Sequence, residues 1–162
     1  MAALTPPFVL LDDARPDGAP ARLYQAPVEI IRADTIGEVA PALARLRDAR
    51  RRGLEAAGFL AYEAGAAFEP ALGAPTATRG PLLWFGLFDG FTTPAPDMVQ
   101  QLLGDPDGVW VGQPETCVDR AGHAAHVAAL QRLITAGDIY QANLTHRAQL
   151  PFLGDPLALY AR

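Results

Sequence analysis

The chain has 162 residues, half of them apolar and 19% charged, so it can bury a hydrophobic core and is not a disordered segment. Its net charge of −5 gives nucleic acid no general attraction, and its apolar runs are too short to span a membrane. The sequence has no Lys, no Ser and one Cys, which excludes P-loop nucleotide chemistry, a serine nucleophile and a cysteine-rich zinc site. Since no signal peptide begins the chain, we expect a cytoplasmic protein.

The first thirty residues predict two strand regions around a loop. Phe8–Leu11 is a short apolar strand, and the Pro, Gly and Asp content of Asp13–Pro20 predicts a loop. Arg22–Arg32 is again rich in strand-forming residues, with Pro27 as a break or an edge position.

A helix is predicted next. Thr35 and Glu38 have the spacing of a capping box, and Gly53 is a typical helix stop. Between them, apolar residues recur at helical spacing and predict one buried stripe. Its members are Ile36, Val39, Leu43 and Leu46.

The middle of the chain alternates between strands and loops. Gly58–Glu63 and Leu82–Asp89 are rich in aromatic and aliphatic residues, which predicts two buried strands. Pro70–Pro81 predicts a loop, and Thr92–Gly108 a second connection that contains one helical turn. Val109–Val111 is a possible short strand.

A second long helix is predicted from the cap Asp119 to Ala136, with Gly137 as its stop. Its predicted apolar face consists of Ala124, Val127, Leu130 and Ile134. His123 and His126 lie three residues apart on it, but they lack the spacing of a zinc-binding helix motif, so surface histidines are the favoured interpretation.

After Gly137, apolar and polar residues alternate up to Leu150, interrupted on the apolar side by His146. This period of two predicts one long strand with a buried face and a polar face. The polar face either meets water or directs Gln141, Asn143 and Thr145 into a ligand cavity. Asp155 and Pro156 then predict the start of a further helix. That helix has under two turns before Arg162, so we expect the chain to be the N-terminal portion of a longer protein.

Several blocks resemble one enzyme family. The segment Ala136–Arg147 (AGDIYQANLTHR) resembles the motif that opens the chorismate-binding region of aminodeoxychorismate synthase component I. The upstream blocks GFLAYEAG, from Gly58, and LLWFGLFD, from Leu82, are similar to the N-terminal region of the same enzymes. The motif is specific for chorismate-utilising enzymes but is shared, in a related form, with anthranilate synthase component I.

The resemblance implies a reaction, partners and a fold. Such enzymes replace the 4-hydroxyl of chorismate with ammonia from a glutamine amidotransferase subunit, giving 4-amino-4-deoxychorismate for 4-aminobenzoate and folate synthesis, with Mg²⁺ on the substrate. The family's catalytic Lys, in a Pro-Ile-Lys-Gly motif, and its metal-binding Glu residues lie downstream of the motif. We therefore expect no catalytic and no metal-binding residue in this chain, and an inactive fragment.

The resemblance also bears on tryptophan, which relatives often bind near the N-terminus. The corresponding stretches here contain Asp13, Leu23 and Tyr24, but the family's Ser is missing and the second stretch is more apolar. These three residues correspond to the tryptophan pocket of the relatives, and the two departures argue against tryptophan binding.

Together, the pattern and the resemblance predict an α+β fold. We expect a mostly antiparallel sheet with covering helices, the incomplete N-terminal part of an anthranilate synthase component I-like sandwich. Residues 1–118 form the N-terminal region and 119–162 begin the chorismate-binding region. The alternatives are an anthranilate synthase component I fragment and a stand-alone, non-catalytic module for ligand binding or docking.

Overall fold

The computed structural model describes residues 4–15, 17–73 and 80–162 and shows an α+β chain in which all strand pairs are antiparallel. The chain divides into two compact units, Met1–Leu102 and Leu103–Arg162. Strands and helices follow in the order β1 (Phe8–Leu11), β2 (Arg22–Gln25), β3 (Glu29–Ala33), α1 (Ile36–Arg51), β4 (Glu55–Leu60), β5 (Leu83–Phe88), α2 (Pro96–Leu103), β6 (Trp110–Val111), β7 (Glu115–Thr116), α3 (Arg120–Ala136), β8 (Ala148–Gln149), β9 (Phe152–Leu153) and α4 (Pro156–Ala161).

The first unit is built around a three-stranded sheet in the order β3-β5-β4, with α1 packed on one face. The helix begins as the sequence predicts, because the Glu38 carboxylate accepts hydrogen bonds from the backbone N–H groups of Asp34 and Thr35. It ends at Arg51, and Gly53, two residues on, turns the chain away with a φ of 90° that favours glycine. The core between helix and sheet consists of Ile31, Ala33, Val39, Ala42, Leu46, Ala49, Ala64, Leu82, Leu83 and Leu87.

A hairpin of β1 and β2 covers part of the opposite face of the sheet, and the sequence predicted both strands, with Pro27 separating β2 from β3. Tyr24 of the hairpin packs with Phe88 and Ala57 of the sheet. The rest of that face carries exposed apolar side chains, among them Ile30 and Phe59. Helix α1 therefore covers one face of the three-stranded sheet, and the hairpin covers the other face only in part.

The second unit contains α3, α4 and two small two-stranded sheets, β6-β9 and β7-β8. The Asp119 carboxylate accepts a hydrogen bond from the Gly122 backbone at 2.7 Å, and Gly137 ends α3 with a φ of 82°, both as predicted. Asp155 caps α4 in the same way, through the Leu157 backbone at 2.8 Å. The caps predicted from sequence are therefore present at both helices.

The predicted apolar face of α3 is half-buried at Val127 and Leu130, whereas Ile134 is 43% exposed. One expectation for the second unit is wrong. The long strand predicted from Tyr140 to Leu150 is absent, and only β8, two residues long, pairs with β7. A strand needs a hydrogen-bonding partner along its length, and β7 provides one for two residues only.

Three predictions for the first hundred residues are corrected in their bounds. The strand predicted at Gly58–Glu63 begins earlier, at Glu55, because β5 pairs with it from there, and Tyr62 and Glu63 lie in a 3-10 helix, Tyr62–Ala67. The predicted loop Pro70–Pro81 begins with a 3-10 turn, and its residues 74–79 lie outside the described residues. The connection after Thr92 contains α2, which has two turns rather than one because Val99 and Leu103 are buried on one side of it.

The chain divides into its two compact units between Leu102 and Leu103. The predicted boundary at 118/119 separates regions of a family rather than packed units, and it stays a prediction. None of the helices in the described ranges is both long and apolar enough to cross a membrane.

Candidate functional site

The motif segment, Ala136–Arg147, joins the end of α3 to β8. Its start is held by the helix stop, where the Asp138 backbone N–H donates to the Leu133 carbonyl at 3.0 Å. Its end is held where the Cys117 backbone N–H donates to the Arg147 carbonyl at 2.9 Å, next to the β7-β8 pair. Between these two anchors the segment has no regular secondary structure.

The three candidate substrate-binding residues, Gln141, Asn143 and Thr145, occupy alternate positions of this segment and are all exposed. Leu144 between them is half-buried, so the alternation of the sequence corresponds only in part to alternating burial. In the described part of the chain no hydrogen bond engages the three polar side chains, which leaves two amides and one hydroxyl available to a ligand. Their role in substrate binding stays a prediction.

One residue of the motif segment makes a contact that the sequence did not predict. The imidazole ring of His146 lies edge-on to that of His123 on α3, with ring centroids 5.8 Å apart and an interplanar angle of 83°. From the sequence, only His123 and His126 came into question as a pair, because both lie on one helix, and surface histidines were the favoured interpretation. The only signal for His146 was that it interrupts the apolar side of the alternation.

Asp13, one of the three residues that correspond to the tryptophan pocket of relatives, forms its hydrogen bonds within its own loop. Its carboxylate accepts hydrogen bonds from Arg15 Nε at 2.7 Å and Nη2 at 2.5 Å and from the Ala19 backbone at 3.3 Å. The guanidinium of Arg15 is the main reason why the pKa of Asp13 is lowered to about 2. The carboxylate therefore stabilises the β1-β2 loop.

Leu23 and Tyr24 are not brought together with Asp13. Tyr24 is a core residue, 3% exposed, and its ring packs between those of Phe88 and Phe91 with centroids 5.3 Å from each. Leu23 borders a cavity of about 280 Å³ beside α2, whereas Asp13 borders a different one of about 610 Å³. The three residues therefore do not line one shared pocket.

The resemblance implies Mg²⁺, and the side chains can be tested against that ion. A magnesium site needs carboxylate ligands close together. Nowhere among residues 4–15, 17–73 and 80–162 do three or more His, Cys, Asp or Glu residues converge to hold a metal ion. The described residues thus show no cluster that fits Mg²⁺, and the expectation that the ligands of this ion lie outside the chain stays a prediction.

Comparison with known proteins supports a family assignment. A family model described as chorismate binding enzyme matches residues 7–162, which includes the whole motif segment. No curated protein and no solved structure matches the chain.

Proposed function

The chain belongs to the chorismate-binding enzyme family, and we propose on this basis that it is part of an aminodeoxychorismate synthase component I. The full enzyme would convert chorismate and ammonia to 4-amino-4-deoxychorismate, on the route to 4-aminobenzoate and folate. The observation that carries the proposal is the motif segment, which lies wholly inside the family match. We place this reaction in the cytoplasm, with a glutamine amidotransferase subunit as the source of ammonia.

Within this proposal, the motif segment contributes polar contacts to the substrate. Chorismate carries carboxylates and a hydroxyl, and the amides of Gln141 and Asn143 and the hydroxyl of Thr145 can each donate a hydrogen bond to such oxygens. All three side chains are exposed and not engaged in the described part of the chain. We propose that they bind the substrate in a site completed by other residues of the full enzyme.

The covalent chemistry needs groups that this sequence does not contain. In the family, a Lys attacks the ring of chorismate, and this sequence has no Lys at all. We therefore propose that the nucleophile and the carboxylates for Mg²⁺ come from residues outside this sequence. No step of the reaction is assigned to the residues described here.

The partly covered sheet supports the finer proposal for the fold, an anthranilate synthase component I-like sandwich. In the register of the sheet, Trp84 lies between Arg32 and Phe59, and Ile30 lies one row away. Ile30 is 44% and Phe59 48% exposed, although side chains of this kind are usually buried. A second layer over this face would bury them, as the sandwich requires.

The proposal is tested by product analysis with two proteins, the 162-residue chain and the product of the complete reading frame that encodes it. With chorismate, Mg²⁺ and ammonium, we expect 4-amino-4-deoxychorismate from the second and no product from the first. Formation of anthranilate instead would support anthranilate synthase component I. No product from either protein would support a non-catalytic binding module.

The role of the motif is tested in the product of the complete reading frame. We expect Asn143→Ala and Gln141→Ala to raise KM for chorismate by about tenfold each, since each removes about one hydrogen bond to a charged group. Gln131→Ala is the matched control, because Gln131 is an exposed amide on α3 outside the motif. Unchanged kinetics in both motif variants would show that this segment only faces water.

A further inference from the structure

His123 and His146 place two imidazole rings next to each other at the contact between α3 and the motif segment. Their centroids are 5.8 Å apart, with the rings nearly perpendicular, and both residues are exposed. Across the described residues, no hydrogen bond or ion pair engages either ring. Their nitrogens are therefore accessible to a ligand from solvent.

We propose that His123 and His146 together bind one divalent transition-metal ion of the class of Zn²⁺, Ni²⁺ or Cu²⁺. Imidazole nitrogen is a preferred ligand of these ions. Two imidazoles on one tetrahedral ion, each with its nitrogen about 2.0–2.1 Å from the metal, have ring centroids about 5 Å apart. A small rotation of two exposed side chains brings the observed rings to this distance.

A metal ion at this site should exchange readily with ions in solution. Only two protein ligands contribute, so water completes the coordination, in contrast to the closed four-ligand sites of structural zinc. Because His146 belongs to the motif segment and His123 to α3, the bound ion links the two and restricts residues 139–146. The proposal does not depend on the proposed function, since Mg²⁺ prefers oxygen ligands and is not expected to bind here.

Two other residues provide matched controls. His126 is exposed on the same helix, three residues from His123, and no ring contact in the described chain involves it. Cys117 is an exposed free thiol whose backbone pairs with Arg147, beside His146. Thiolate binds the same metals, so the Cys117→Ala variant separates a thiol site from an imidazole site.

The first experiment is calorimetric titration of the 162-residue chain with Zn²⁺, Ni²⁺ and, as a negative control, Mg²⁺. We expect one Zn²⁺ or Ni²⁺ per chain, and affinity reduced by about tenfold or more in His123→Ala and in His146→Ala. His126→Ala and Cys117→Ala should bind as the wild type does. Loss in His126→Ala or in Cys117→Ala as large as in His146→Ala, or no binding by the wild type, would overturn the proposal.

A second experiment uses the wild type alone, so that it does not depend on the folding of any variant. The chain has three histidines, whose ring protons give three separate sets of NMR signals. Substoichiometric Cu²⁺ should broaden the signals of His123 and His146 together and leave those of His126 sharper. Joint broadening of His123 and His126, with His146 unaffected, would assign the ion to the helix alone and refute the site.

Discussion

Helices α1 and α3 have nearly the same length, 16 and 17 residues, and both begin and end with the signals that the sequence predicts. They differ in what they bury. Helix α1 buries Val39, Ala42, Leu46 and Ala49 against the three-stranded sheet, whereas α3 buries no residue. The comparison shows that caps determine where a helix begins and ends, while burial depends on whether another element packs against its apolar face.

The same contrast holds for the strands of the two units. In the first unit, β5 has six residues and pairs on both sides, with β3 and with β4. In the second unit, each strand has two residues and one partner. Since a buried apolar side chain contributes about 1.5–3 kcal/mol, the first unit should carry most of the stability of the chain. Four predictions test this difference.

The largest effect on stability should come from truncating a buried side chain in the core of the first unit. Leu87 is completely buried in β5, so Leu87→Ala should lower the free energy of unfolding by about 2–5 kcal/mol. Leu133→Ala on α3 is the matched control, and because Leu133 is 42% exposed we expect a loss under about 1 kcal/mol.

Denaturant unfolding measures this difference through tryptophan fluorescence. Each unit contains one of the two tryptophans, Trp84 in the first and Trp110 in the second. A Trp110→Phe background therefore reports on the first unit and serves for Leu87→Ala, and a Trp84→Phe background reports on the second unit and serves for Leu133→Ala. Equal losses in the two leucine variants would mean that α3 is packed in solution, contrary to the comparison.

The next effect concerns the close approach of two strands. A Cβ atom on Gly58 would lie 2.1 Å from the Trp84 carbonyl oxygen and 2.6 Å from the Phe85 Cα, both backbone atoms that cannot move aside easily. Gly58→Ala should therefore destabilise the first unit by about 1–3 kcal/mol in thermal unfolding. Gly37→Ala is the control, with open space around its Cβ in the first turn of α1, and should stabilise by about 0.5 kcal/mol. A stable Gly58→Ala protein would contradict the observed strand pairing.

A smaller and more local effect is expected at the cap of α3. Asp119→Ala removes the hydrogen bond to the Gly122 backbone and should cost about 1 kcal/mol. Because α3 buries no residue, the loss should appear as faster amide exchange in its first turn rather than in β5. Gln131→Ala, in the middle of the same helix, should leave both regions unchanged. Faster exchange throughout β5 in Asp119→Ala would show that the two units unfold together.

The smallest effect should be the pH dependence of the Asp13–Arg15 ion pair. The pKa of Asp13 is about 2, below the ordinary value of 3.8, so the pair stabilises the fold fully above about pH 4. This contribution is lost as the pH falls towards 2, where the carboxylate becomes protonated. The difference in Tm between Asp13→Asn and wild type should therefore shrink from pH 5 to pH 2. Asp17→Asn, in the same loop, is the control, and a constant difference would show that Asp13 is not paired in solution.

The candidate site was only partly predictable. The sequence identified the motif segment as the most informative part of the chain, and the family match includes it. It did not predict that Gln141, Asn143 and Thr145 lie on an irregular segment, or that His146 contacts His123. The sequence does not indicate this contact because the two histidines are far apart in it. They are brought together by the β7-β8 pair and the fold of the second unit.

The sequence by itself determined the local features of this protein. The caps at Glu38 and Asp119, the stops at Gly53 and Gly137 and the break at Pro27 depend on residues within a few positions of one another, and local backbone chemistry decides them. Tertiary structure alone decided which apolar residues are buried and which alternating segments become strands. Leu87 lies in a core and Ile134 in solvent although both belong to regular apolar patterns, because burial and strand pairing require a partner that the local pattern does not specify.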